Sequence, residues 1–174
     1  MVDINPALAA NRDAIAELLA AADRSGASWT TPRAPGKWSP SQLVEHVART
    51  FDESATMISG ARSKFPALPF FLRPVARTFL FNRVLRNGTF PKAKTNKAMN
   101  PQSGPTTTAE ARARLEGAVA RFDRECRLCA QQGGAVASST FGRVTVGEYV
   151  KFMETHVRHH CRQMPAATTA AEAV

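Results

Sequence analysis

Val146-Gly147-Glu148-Tyr149-Val150-Lys151-Phe152-Met153-Glu154-Thr155-His156-Val157-Arg158-His159-His160 is the stretch from which the fold is read. At about 100° per residue, Val146, Tyr149, Val150, Met153, Val157 and Met164 gather on one apolar face, so the stretch reads as an amphipathic helix. His156 and His160 fall on or at the edge of that face, and His159 turns away from it. Thr145 precedes the pattern and Glu148 follows three residues later, the arrangement in which a hydroxyl and a carboxyl satisfy each other's backbone N–H. Pro165 ends the helix, because its ring can neither donate nor fit inside one. This fourth helix is expected over residues 145–163.

Three more helices follow from the same periodicity. Ile4, Leu8, Ile15, Leu18, Leu19 and Ala22 recur at helical spacing until Ser25-Gly26 interrupts them, giving a helix near 5–24. Ser39-Pro40-Ser41-Gln42 reads as a helix start, with Ser39 as cap, Pro40 at the position where a missing N–H costs nothing, and Gln42 completing a capping box. That second helix is expected over 40–60. A third opens at Thr107 or Thr108 and continues through Leu115, Val119, Phe122, Cys126 and Cys129 to Gly133-Gly134. Between helices two and three, Pro74 to Arg86 suggests a short basic helix with Val75, Phe79 and either Leu80 or Val84 facing inward. The prolines, Asn, Lys and Gly of Thr89 to Thr107 predict an extended loop.

Length and composition agree with one all-α domain. The chain has 174 residues, enough for one core and too few for two. The domain is expected over 1–165, with a flexible tail at 166–174. Three cysteines, an odd count, fit a reducing compartment better than a disulfide framework, and Cys126 and Cys129 read as small core-facing residues inside a helix. No uninterrupted apolar run follows a basic start at the N-terminus, which argues against a signal peptide. The most apolar stretch, Phe65 to Leu85, is cut by Arg73, Arg77 and Arg83, which argues against a spanning helix. A cytoplasmic protein is expected.

Charge is concentrated. No acidic residue lies between Ser54 and Ala109, while Arg62, Lys64, Arg73, Arg77, Arg83, Arg86, Lys92, Lys94 and Lys97 do. Acids and bases balance elsewhere, so the whole net charge of +9 sits in this segment. Its partner, if it has one, is anionic, and Arg73, Arg77, Arg83 and Arg86 are the candidate anion-binding residues.

Four histidines occur, at 46, 156, 159 and 160. Two at i and i+4 offer two nitrogens to one ion, and His46, at the edge of the apolar stripe of helix two beside Leu43 and Met57, can supply a third if helices two and four pack together. Burying three unpaired imidazoles costs about 1–3 kcal/mol each, which a shared ion removes. The alternative is that each bonds a nearby carbonyl or lies exposed. Glu53, two turns after His46, is the best candidate for a catalytic base or a partner to the ligands, against the simpler reading of a solvated carboxylate. Gln163 either orients a ligand or caps the helix end. Met57, Tyr149 and Met153 are expected around the pocket.

Trp38-Ser39-Pro40-Ser41-Gln42-Leu43-Val44-Glu45-His46, then Phe141-Gly142, then His156, His159, His160 and Gln163, resemble in order the motifs of the DinB/YfiT-like superfamily, and Pro69 to Pro91 resembles its branch of unknown function. The resemblance implies a four-helix bundle with up-down-down-up topology and a divalent metal, zinc or nickel, on His46, His156 and His160. It also implies a low-molecular-weight thiol as a co-substrate of some relatives. Two functions then compete. One is a metal-dependent enzyme, a thiol-dependent S-transferase or a hydrolase acting on a small molecule. The other is a non-catalytic module using residues 62–97 on an anionic membrane surface or nucleic acid. No helix-turn-helix, zinc-finger or stacking motif supports nucleic acid, and a homodimer is left open.

Overall fold

The computed structural model describes residues 3–91 and 95–165. Lys92, Lys94 and the expected tail at 166–174 lie outside the described residues. The four main helices are α1 (Asn5–Asp23), α2 (Pro40–Ile58), α5 (Thr108–Gln131) and α6 (Val146–Cys161), and between α2 and α5 lie the short α3 (Arg73–Ala76) and α4 (Asn82–Asn87). Both expected capping boxes form, Ser39 with Gln42 and Thr145 with Glu148, and a third, Thr107 with Glu110, fixes Thr107 as the cap of α5. Each fixes the first turn of a helix that must present a defined face to the core.

Side-chain pairs between helices set their directions. Arg12 with Asp123, and Asp23 with Arg112, make α1 and α5 antiparallel. Glu45 with Arg114, and Asp52 with Arg121, make α2 and α5 parallel. His46 with His156, and Ser54 with Tyr149, make α2 and α6 antiparallel. The result is an up-down-down-up bundle. Its interior is apolar and closely packed, with Phe51 and Phe122 meeting edge to face at 5.0 Å between α2 and α5. Cys126 and Cys129 are both buried there, and burial raises both thiols above their usual pKa, so they behave as core residues.

Residues 59–107 form the long crossover that parallel α2 and α5 require. Its helical part is longer and less regular than expected: a 3-10 turn at Phe70–Leu72, α3, a π turn at Arg77–Phe81, and α4, closed by Gly88 at φ 63°. The expected inward face is corrected at two positions: Val75 and Phe79 are exposed, whereas Val84, one of the expected alternatives, is fully buried together with Phe81, and Leu80, the other, is half-buried. The inward positions near Val75 are taken instead by Arg73, which donates from Nε to the Leu68 carbonyl, and Arg77, which donates from Nη1 to the Arg143 carbonyl. The π turn inserts one extra residue and brings Phe81 onto the core, stacked on Phe152 at 4.9 Å and 5.1 Å from Phe141.

A two-stranded antiparallel hairpin, β1 (Ala135–Ser138) and β2 (Gly142–Thr145), joins α5 to α6; the sequence reading did not anticipate it. Four residues per strand give only Val136, Ser138 and Val144 as buried positions, too few for alternation to show. Its turn anchors the crossover, since the Ser139 carbonyl accepts from Leu68 N, and Thr140 Oγ1 donates to the Pro66 carbonyl at 2.6 Å.

The reversed face has a measurable consequence. Phe81→Ala should lower stability by about 3–5 kcal/mol through the cavity it leaves, while Phe79→Ala should stay within about 0.5 kcal/mol; urea denaturation of the two variants checks this.

Candidate metal centre

The antiparallel contact of α2 and α6 sets the N-terminal half of one beside the C-terminal half of the other, and three imidazoles meet there. His46 Nε2 lies 3.2 Å from His156 Nε2, and His160 Nε2 lies 3.1 Å from the same atom. The candidate ligand atoms of the three residues all fall within 4.8 Å of one another. Nitrogens about 2.0–2.1 Å from a tetrahedral zinc stand roughly 3.3 Å apart, so the spacing suits one ion.

The hydrogen bonds behind the rings fix which atoms face inward. His46 Nδ1 is 2.7 Å from the Met99 carbonyl, and His160 Nδ1 is 2.9 Å from Gln163 Oε1. Both partners are oxygen acceptors, so each Nδ1 carries the proton and each Nε2 presents a lone pair. His156 Nε2 can donate to only one of these lone pairs, and its own Nδ1 is buried with no partner. Without a cation, at least two lone pairs point at each other in a buried space, at a cost that proteins rarely carry. A divalent ion at the meeting point satisfies all three Nε2 atoms, and the donor set fits one.

Burial keeps the rings neutral and ready to ligate. His46 and His160 are almost wholly buried. Burial lowers the pKa of all three; in His160 it falls from 6.5 to about 3, and His156 is driven well below 6.5 by burial and by the two neighbouring imidazoles. Trp38 lies 4.7 Å from the His46 ring and Phe90 lies 5.4 Å from the His156 ring, shielding the cluster from two sides.

The crossover positions this shell. Gln42 Nε2 donates to the carbonyls of Pro101 and Gln102, Trp38 Nε1 to Asn100 Oδ1, and Ser41 Oγ to the Pro105 carbonyl. Residues 99–105 are thereby strapped along the start of α2, presenting the Met99 carbonyl to His46. At Gly104 an added Cβ would collide with Ser41, including its backbone, so only glycine lets the strap lie this close.

A cavity of about 290 Å³ opens onto the histidines. Tyr149 and Met153 line it as expected, with Leu80, Phe90 and Phe141 among its apolar walls. Gln163 lies behind the cluster just beyond the helix end, where its side chain holds His160 and His159; the C-cap position itself is Arg162. His159 is outside the three-histidine group but is not turned to solvent: it lines the cavity and accepts from Gln163 Nε2 at 2.8 Å. Glu53 is not brought to the centre. Its carboxylate accepts from Lys64 N at 2.7 Å and lines a separate hollow with Glu45, Arg49 and Asp52. Met57 is buried but does not line the cavity. Arg73, Arg77, Arg83 and Arg86 do not line it either; the crossover contributes its apolar residues there. Trp38, Phe90 and the Met99 carbonyl complete the site without having been singled out for it. Trp38 stood inside a motif, but a backbone carbonyl leaves no mark on a sequence.

An up-down-down-up helical bundle with a buried trihistidine cluster at one end of its core is the class of protein that fold and site define. The chain belongs to the DinB superfamily, whose family model matches residues 7–164. No curated protein and no solved structure matched it.

The lowered histidine pKa values give a signed pH dependence. Below about pH 6.5 the unfolded chain takes up protons that the folded, metal-free chain refuses, so stability is full above that value and falls as the pH drops toward about 3. Chelator-treated protein unfolded in urea across that range should lose stability steadily, and His160→Gln should flatten the slope.

Proposed function

We propose that this chain is a metal-dependent enzyme acting on a small molecule, with one divalent ion, zinc or nickel, on His46, His156 and His160. The observation that carries this reading is the convergence of three Nε2 atoms of which at most one carries a proton, so that a shared cation is the partner that would satisfy all three at once. Such an ion supplies Lewis acidity toward a water or thiol brought to it, because three neutral imidazoles leave its charge undiminished and a coordination position open. Zinc and nickel both suit imidazole donors.

The chain's own contribution is a shaped, largely apolar wall. Thr50, Asn96, Ser138, Thr140 and Tyr149 line the cavity, yet each spends its polar side chain on a protein partner. Burial raises the Tyr149 pKa, so its phenol stays protonated. The substrate is therefore an apolar body carrying one polar head that reaches the histidines. Glu53, engaged by Lys64, does not supply the base that hydrolysis needs. This favours the thiol-dependent S-transferase over the hydrolase, since a thiol is far more acidic than water and gives up its proton to form the nucleophilic thiolate with less help from a base.

Elemental analysis of protein purified without a polyhistidine tag tests the centre. One ion per chain is expected. Alanine at 46, 156 or 160 should strip most of it, while His159→Ala should keep it. Gln163→Ala should weaken metal affinity about tenfold or more, as loss of a group orienting a ligand does. A protein loaded with zinc or nickel that retains no ion, or loses it only when His159 is replaced, would overturn the assignment.

A further inference from the structure

The crossover helix carries its apolar side chains outward. Phe70 is 79% exposed, Phe79 73% and Phe71 63%, with Leu72 and Val75 also open to solvent. Leu72, Val75, Phe79, Arg83 and Arg86 recur at helical spacing along the outer face, and both arginines are exposed. This is not a folding failure, because the inner face is closed by Phe81 and Val84 and the whole segment is tied to the hairpin.

We infer that this face docks the protein on an anionic lipid bilayer, with the phenylalanines entering the interface and Arg83 and Arg86 meeting lipid phosphates. Three observations select that occupant. Residues 62–97 hold all of the chain's excess positive charge and no acid of their own, and the crossover helix contributes Arg73, Arg77, Arg83 and Arg86 to it; of the acids elsewhere, Glu148 lies 3.9 Å from Arg77 and Glu53 lies 3.6 Å from Lys64, and among the described residues neither pairs with Arg83 or Arg86. Aromatic side chains beside arginines on one helix face match the boundary between acyl chains and charged headgroups. A second copy meeting the same face would set arginine against arginine, and a nucleic acid would leave the phenylalanines without a role. Leu80, next to Phe79, lines the cavity, so docking would bring the wall of the apolar site beside the bilayer. The inference stands independently of the metal.

The test is flotation of the full chain with phosphatidylcholine vesicles, with and without phosphatidylglycerol. Binding at least about tenfold stronger to the anionic vesicles is expected, falling steeply with added salt. Phe71→Ser with Phe79→Ser should abolish it, and Arg83→Gln with Arg86→Gln should erase the preference for anionic lipid. All four positions are exposed, so circular dichroism and metal content should stay unchanged in both variants. Equal binding to both vesicle types, no binding, or full binding by the phenylalanine variant would overturn the proposal. So would light scattering that shows a dimer dissociated by those serines, or duplex DNA bound more tightly than vesicles.

Discussion

Three imidazole Nε2 atoms facing one another in a buried space, at least two of them with lone pairs, form the interaction on which the rest of this structure turns. Left to themselves they repel, and desolvation prevents the rings from escaping the conflict by protonation. The arrangement persists because each ring but one is held from behind, His46 by a carbonyl of the crossover and His160 by an amide just past its own helix. The packed bundle core holds the three imidazoles at a spacing that would suit one ion.

That dependence explains why the crossover is so firmly fastened. Residues 99–105 lie against α2 through Ser41 and Gln42 in the first turn of the helix that carries His46, and through Trp38 just before its cap. The capping box of α2 and the anchoring of the strap thus share residues: Gln42 Oε1 accepts from Ser39 N while its Nε2 donates to the strap. Helix initiation and ligand orientation are consequently one structural event at this end of the bundle.

The same crossover separates two kinds of surface. Its inward residues, Leu80 and Phe90, make an apolar cavity wall over the histidines, and its outward residues leave phenylalanine and arginine in solvent. Arg73 and Arg77 face the protein as donors to backbone carbonyls, and Arg77 also lies 3.9 Å from the Glu148 carboxylate, so these cationic side chains are partnered where they meet the protein. Among the described residues no helix is long and apolar enough to cross a membrane.

The sequence by itself determined the four main helices, because their apolar stripes are long and two of their starts are explicit, Ser39 with Gln42 and Thr145 with Glu148. Helix geometry also set His156 and His160 on one face, i and i+4 apart, while the resemblance to the superfamily's motifs was what joined His46 to them. Tertiary structure decided the remainder. Val75 and Phe79 have helical spacing, but the π turn and the docking of Phe81 against Phe152 assigned them to solvent, a choice that depends on contacts some 70 residues away in sequence. Glu53 shares an edge with His46, yet a loop eleven residues on supplies Lys64 and takes its carboxylate. The Met99 carbonyl that orients His46 is backbone, present at every residue and therefore invisible in a string of side chains; only the path of the folded chain could bring that one to the imidazole.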